Sequence, residues 1–262
     1  MFATDFLFDS QRASDFGLMI CSFNGDFETA SGGEIEYNVA KTPNRDRFTF
    51  YGAQLNSVIT WNFSICKNPC QNQDLYFNQY EESSIAKWLL KINGYGKLQF
   101  DQEGYEDITY NAYFNMAAHQ INGKTVGFDL TATTDCAYGF TDTIKKTAII
   151  NTSTPLKMNV HNDINSYIFP CVKIKRKSGT GDFYIKNGSD KQNKQTEFIN
   201  MQNAAFEIIM DSDSDTISGL HDPNKFNWCF LRLIDGCNII QTNSEYDLEI
   251  EIYYKEVRRV IV

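Results

Sequence analysis

Apolar and polar residues alternate with a period of two along most of this chain, and only one stretch shifts to a helical period. Alternation sends successive side chains to opposite faces of an extended strand, so the chain is confined to mainly β folds. Phe2 to Phe8 and Asp15 to Phe23 read as strands around the polar turn Asp9-Ser10-Gln11-Arg12, and Arg47 to Leu55 and Ser57 to Ile65 as two more. Lys97 to Phe100, Asp107 to Met116 and Thr125 to Thr133 continue the pattern. Asn122-Gly123 is a hairpin turn, because both residues tolerate positive φ. The exception runs from Glu82 to Asn93. There Ile85, Trp88, Leu89 and Ile92 form one apolar stripe at helical spacing. Ser83 or Ser84 can cap its start and Gly94 can stop it. A helix with a single apolar face must lie on a sheet.

A length of 262 residues suits one large or two modest domains. The polar, Thr-rich stretch from Thr141 to Pro155 marks a boundary near residue 149, which divides the chain into 1–148 and 149–262. The second part shows no convincing helix. Short strands recur through it, including Leu156–Val160, Val172–Lys175, Asp182–Ile185, Ala205–Met210, Phe230–Leu233, Asn238–Gln241 and Leu248–Tyr254, with turns at Asn187-Gly188 and Asp235-Gly236. Such spacing points to a β-sandwich.

Composition narrows the function classes. At 42% hydrophobic the chain can bury a core, and a formal charge of -9 repels phosphate backbones, which disfavours nucleic acid as a bound partner. Lys173, Lys175, Arg176 and Lys177 read as the basic outer face of one strand. Seven cysteines at irregular spacing make a poor disulfide framework. Those inside apolar strands, such as Cys171 and Cys229, read as small buried hydrophobes of a protein folded in a reducing cytoplasm. The acidic start, Met1 to Asp9, does not read as a signal peptide. No apolar run has the length of a membrane span, so no membrane insertion is expected.

Few residue constellations point to chemistry. Gly123-Lys124-Thr125 resembles the end of a phosphate-binding loop, but Ala118 stands where the loop needs glycine and a strand follows instead of a helix. Asp211-Ser212-Asp213-Ser214-Asp215 spaces carboxylates for a hard cation. Thr216 and Asp222, however, fill the places where a calcium loop wants Gly and Glu. Cys66 and Cys70 could supply two zinc ligands, yet no second pair and no nearby His completes a site. No local signature of a nucleophile with its base appears, and no acid pair is singled out. The expectation is no enzyme, no cofactor and no resident metal. Exposed aromatics on a sandwich can stack on sugars. Tyr167, Tyr184 and Trp228, with Phe183 and Phe226, are candidates, and core packing competes for each.

Several segments, taken in order, resemble one family. Phe6-Leu7-Phe8-Asp9-Ser10 through Ser14-Asp15-Phe16-Gly17-Leu18 resembles the first hairpin of the distal tail proteins of siphophages, the long-tailed, non-contractile bacteriophages. Lys87-Trp88-Leu89-Leu90 resembles the helix of that family, and Asp107 to Phe114 the strand that follows. Trp228 to Asn238 is similar to its segment of aromatic, aliphatic, Arg-Leu, Gly and Asn, and Leu248 to Lys255 to its last strand. The order covers nearly the whole chain. Cys237 departs from the pattern, and Gln71–Gln79 and Gly188–Thr196 are longer and more polar than a minimal member.

The resemblance implies an N-terminal β-sandwich-like belt domain with one helix and a C-terminal galectin-like β-sandwich. Copies of the belt would form a homohexameric ring at the virion tail tip, after folding and assembly in the bacterial host cytoplasm. The ring would join the tail-tube protein to a tail-fibre or tail-associated adhesin, with DNA passing through the channel without specific binding. Phe2, Phe6, Phe8, Phe16 and Leu18 are candidates for the ring contact, and filling the subunit's own core is the other reading of each. A carbohydrate-binding module of a phage adhesion device is the alternative function, and selective saccharide binding by residues 149–262 would favour it.

Overall fold

The alternating segments become antiparallel sheets, and the single helical stretch becomes their cover. A computed structural model describes residues 3–23, 29–31, 34–43, 46–55, 58–105, 107–164, 166–203 and 205–259. The chain divides into two units, Met1–Phe140 with Arg259–Val262, and Thr141–Arg258.

The first unit contains β1 (Asp5–Phe8), β2 (Gln11–Arg12), β3 (Leu18–Cys21), β4 (Thr29–Ser31), β5 (Ile35–Lys41), β6 (Phe48–Leu55), β7 (Thr60–Lys67), α1 (Gln79–Leu89), β8 (Gly96–Asp101), β9 (Tyr110–Ile121), β10 (Lys124–Thr134) and β11 (Gly139–Phe140). Eight of the strands form one sheet in the order β2-β1-β8-β9-β10-β7-β3, with β4 also paired to β7. The stretch read as a strand from Asp15 is a strand only over Leu18–Cys21; Asp15 and Phe16 lie in a 3-10 turn. Two carboxylates bend it: Asp15 accepts the Arg12 N–H at 2.9 Å, and Asp5 accepts the Ser14 hydroxyl at 2.6 Å. The β9–β10 hairpin turns at Asn122 and Gly123, both at positive φ (52° and 74°).

The helix buries the residues its stripe marked, Ile85, Trp88 and Leu89, but its ends differ from the expectation. The cap is Asn78, whose side chain accepts the N–H groups of Tyr80 and Glu81, while Glu81 accepts the N–H of Asn78 in return. This reciprocal box begins the helix ahead of Ser83 and Ser84. Ser84 instead sits inside and donates to the Tyr80 carbonyl. The helix ends at Leu89, so Ile92 falls beyond it and is 97% exposed. Around Trp88 the core is aromatic: Phe6 contacts Trp88, Phe63 and Phe114 at ring separations of 5.4, 5.5 and 5.8 Å.

The second unit contains β12 (Ile144–Ile150), β13 (Leu156–Val160), β14 (Cys171–Arg176), β15 (Phe183–Asn187), β16 (Gln195–Phe198), β17 (Phe206–Asp211), β18 (Thr216–Ser218), β19 (Gly236–Thr242), β20 (Leu248–Tyr254) and β21 (Val257–Arg258). Nine of them form a five-stranded sheet, β12-β20-β14-β17-β18, and a four-stranded sheet, β13-β19-β15-β16. Alternate residues of both are buried, including Val172, Ile174, Ile250 and Ile252 from the larger and Phe183, Ile185, Phe198 and Ile240 from the smaller. Phe183 stacks on Phe206, ring to ring, at 5.6 Å, which joins the two sheets. The stretch from Thr141 to Pro155, read as a boundary, contains β12, a full partner of β20 from Ile144 to Ile150.

Three readings of this unit need correction. Arg176 does not share the outer face with Lys173 and Lys175 but points inward, fully buried. Its guanidinium donates to the carbonyls of Gly181, Met201 and Asn203, and it lies 4.7 Å over the Phe206 ring. Phe230–Leu233 is not a strand. Trp228 just before it takes a left-handed φ of 55°, which breaks the extended path. Cys171 and Cys229 are half-buried rather than core residues.

Candidate functional site

The residues proposed for a ring contact lie mostly inside the first unit. Phe6, Phe8 and Leu18 are fully buried, and Phe16 packs on the same core with its ring 4.6 Å from Trp88. A side chain with no exposed area offers none to a neighbour. Phe2 lies outside the described residues.

A patch of exposed apolar surface lies instead on the β5–β6 hairpin, which among the described residues pairs only with itself. Cross-strand partners share a face, and the register joins Ile35 to Leu55, Tyr37 to Ala53, Val39 to Phe50 and Lys41 to Phe48. The other face carries Glu36 opposite Gln54, Asn38 opposite Gly52 and Ala40 opposite Thr49. One face is therefore apolar and the other largely polar. The apolar face is open: Tyr37 is 60% exposed, Phe48 67% and Phe50 61%. Tyr51 enters at the bulge between Asn38 and Val39 and is exposed too. Sequence reasoning found β6 but missed β5. The signal was present in the alternation of Ile35, Tyr37 and Val39, which needs a covering partner to make sense.

In the second unit the sugar-stacking candidates separate. Tyr167 lies under the Arg232 guanidinium, 3.9 Å from its ring centre, and so is already stacked. Tyr184 is half-buried and faces outward beside Lys186. Phe183 and Phe226 are buried. Trp228 is 54% exposed, with its ring 5.7 Å from Phe226 and 6.5 Å from Phe230. Asn227 fixes the loop before it: its side chain accepts the N–H groups of Glu197 and Cys229 and donates to the Gln195 carbonyl. Among the described residues no ring contact joins Tyr167, Tyr184 and Trp228.

The Arg-Leu, Gly and Asn segment is structural here. Arg232 donates to Asp190 at 2.7 Å and to Gln192 at 2.8 Å, buried within the unit. Asn238 accepts from Asn187 at 2.6 Å and from the Ile234 N–H, and donates to the carbonyls of Ile234 and Gly236. Gly236 takes the positive φ, 85°, that this turn requires.

Among the described residues no group of three or more His, Cys, Asp or Glu side chains is placed to hold a metal ion. In the acidic run, Asp211 accepts the N–H of Asp213, and Ser214 and Thr216 share a hydrogen bond, which makes a polar turn. A polar hollow of about 540 Å³ lies at the start of α1, lined in part by Lys67, Asp74, Tyr76, Glu81, Glu82 and Lys124. Its buried cation is matched: Lys67 donates to both Glu81 oxygens, at 2.8 and 2.9 Å, and to the Tyr76 carbonyl. That hydrogen bond holds the Glu81 carboxyl below its usual range.

Comparison with known proteins bears on both units. Residues 1–136 match a family model described as the phage tail protein N-terminal domain, and residues 138–254 one described as the phage tail C-terminal domain. No curated protein matches the sequence. The fold is similar to that of the Dit protein of phage SPP1, described as a paradigm of the hub adsorption apparatus in phages that infect Gram-positive bacteria. The TM-score is 0.66 at 10% identity, over 97% of this chain and 98% of that one. A chain of the phage P2 baseplate, in its activated conformation with Ca, matches with a TM-score of 0.44 at 10% identity, over 97% of this chain and 98% of that one.

Proposed function

Because this chain belongs to the phage tail protein family, whose N-terminal and C-terminal domains its two parts match, we propose that it is a structural hub of the tail tip, without enzymatic activity. Copies associate through their N-terminal units into a closed, six-membered ring. The ring joins the tail tube to a host-adhesion protein, and DNA crosses its channel. It folds and assembles in the host cytoplasm. The Dit-like fold of the whole chain supports this reading.

The observation that carries it is the apolar face of the β5–β6 hairpin. A two-stranded hairpin is at best marginally stable in water, and a contiguous apolar patch marks an interaction site. The occupant we assign is a second copy of the chain. A hairpin seated on a different surface of its neighbour is a heterologous contact, the kind that builds a ring when its rotation closes. The overall charge of -9 fits a channel that does not retain DNA. Sedimentation and negative-stain imaging test this directly. Rings are expected for the parent, and folded monomers for a Tyr37→Asp, Phe50→Asp double variant. A parent that stays monomeric at every concentration, with or without the other tail proteins, overturns the ring.

Trp228 supports a second reading, saccharide binding by the C-terminal unit. A bulky side chain at positive φ is strained, and such strain gathers at functional positions. Trp61 and Trp88 are buried, so a change in exposed tryptophan emission reports Trp228 alone. Titration with soluble cell-wall oligosaccharides should shift that emission in the parent and not in Trp228→Ala. Unchanged emission at saturating sugar ends this reading.

A further inference from the structure

Two cysteines far apart in sequence meet at the edge of the first unit's sheet. The β3–β7 register places Met19 opposite Cys66 and Cys21 opposite Ser64. Cys21 and Cys66 therefore share a face, one diagonal step apart. It is the outer face, since the alternate residues Leu18, Ile65 and Lys67 are the buried ones. Both cysteines are half-buried. Each thiol is the strongest influence on the other, through hydrogen bonding between the two side chains. That bond, with burial and the nearby charges of Cys66 and Asp129, pushes the Cys21 thiol far up. The same bond brings Cys66 down to about 7, against the opposing effect of burial. Cys66 is thus the readier of the two to become thiolate, the form that attacks disulfides.

We infer that Cys21 and Cys66 are an oxidisable dithiol that closes to a disulfide in an oxidising medium and staples the edge strand β3 to β7. The alternative partner for Cys66 along the chain, Cys70, is exposed. A bridge requires the two Cβ atoms to approach to about 3.8 Å. β3 is the element that would adjust: it is four residues long and, among the described residues, lies at the end of the sheet order, paired to β7.

The oxidant is a small-molecule disulfide such as oxidised glutathione. The Cys66 thiolate attacks one of its sulfurs and expels a glutathione thiolate, which takes up a proton. Once Cys66 is capped, the charge beside Cys21 is gone and its proton is no longer held there. The Cys21 thiolate then attacks the Cys66 sulfur and expels the second glutathione. Two protein thiols are oxidised to one disulfide, and one glutathione disulfide is reduced to two thiols. The chemistry stands on the strand register and on the half-buried placement of both cysteines on one face. Only its setting, release of a virion from a reducing cytoplasm, rests on the tail-tip reading.

The test uses the full chain with Cys70→Ser and Cys237→Ser, which removes the exposed thiols, alongside the parent. Reduced protein is equilibrated with oxidised glutathione, blocked with N-ethylmaleimide, digested and mapped by mass spectrometry. We expect a Cys21–Cys66 linked peptide, the loss of two titratable thiols per chain and a melting temperature raised by several degrees. With Cys21→Ser, Cys66 should persist as its glutathione adduct. Two outcomes overturn the inference. One is recovery of Cys21 and Cys66 as maleimide adducts after oxidation. The other is a persistent glutathione adduct on Cys66 while Cys21 is present. Neither readout depends on ring formation, so failure here is distinct from failure of the proposed function.

Discussion

The indole N–H of Trp88 donates to the main-chain carbonyl of Phe8 at 2.9 Å, so that one bond fastens the helix to the first strand of the sheet. The same ring is stacked on Phe6 at 5.4 Å and on Phe16 at 4.6 Å. Packing and a buried polar contact are thus made by one side chain.

Trp88→Ala removes both and should cost about 3–5 kcal/mol, as other core aromatic truncations do. Trp88→Phe keeps much of the ring but loses the hydrogen bond to the Phe8 carbonyl, at about 1 kcal/mol. Urea unfolding followed by circular dichroism separates the two. If the alanine variant keeps the parent's midpoint, the ring does not hold the helix.

Asn78→Ala should cost about 1 kcal/mol, because two first-turn N–H groups lose their acceptor. Ser83→Ala should change little, since Ser83 lies inside the helix. A larger loss at Ser83 than at Asn78, measured by the same unfolding curves, would contradict the observed cap.

How far the sequence could be read follows from these residues. Periodicity located the apolar stripe because burial of Ile85, Trp88 and Leu89 depends only on helical spacing. It misplaced the ends because capping depends on which side chain folds back, and Asn78 with Glu81 competes with two serines for that role. Alternation marked Phe6 and Phe8 as facing one side, yet an apolar side chain in a strand looks the same whether its own core or a neighbour covers it. Phe48 and Phe50 could be told from them only once the sheet was seen to end without the hairpin. Arg176 was read outward because charge normally is; three carbonyls and two aromatic rings outweigh that tendency, and Met201, Asn203 and Phe206 among them are far from it in sequence.

Acid should weaken the second unit through Asp190. Burial pushes its carboxyl up, but the Arg232 hydrogen bond and charge, the Gln192 N–H and Tyr167 together hold it below the usual carboxylate value. A group depressed in the folded state contributes its stability in full above the unfolded value, about 3.9 for Asp, and loses it as pH falls through that value toward the folded one. Stability should be flat from neutral pH to about 5 and fall below about 4. Asp190→Asn should flatten the decline and cost about 3–5 kcal/mol at neutral pH, because Arg232 is then buried without its partner. A parent whose acid profile matches that of the variant would show that another group controls the transition.

Relief of strain predicts an unusual result at Trp228. Trp228→Asn places a residue that tolerates the left-handed region at a φ of 55°. Its stability should stay within about 1 kcal/mol of the parent, where a buried tryptophan would cost about 3–5. A loss in that higher range, seen by thermal melting, would make the ring a packing element rather than an exposed surface.

The two inward arginines of the second unit fail under different conditions. Arg232 is fastened to a carboxylate and lets go when that carboxylate takes up a proton. The Arg176 hydrogen bonds go to three main-chain carbonyls, which do not titrate in water, and its guanidinium keeps its charge throughout the acid range. Acidification therefore unlatches one corner of the sandwich and leaves the other shut. Denaturants and heat, which make no such distinction, should open both together. A unit opened at the Arg232 corner and still closed at Arg176 is the state that acid should favour.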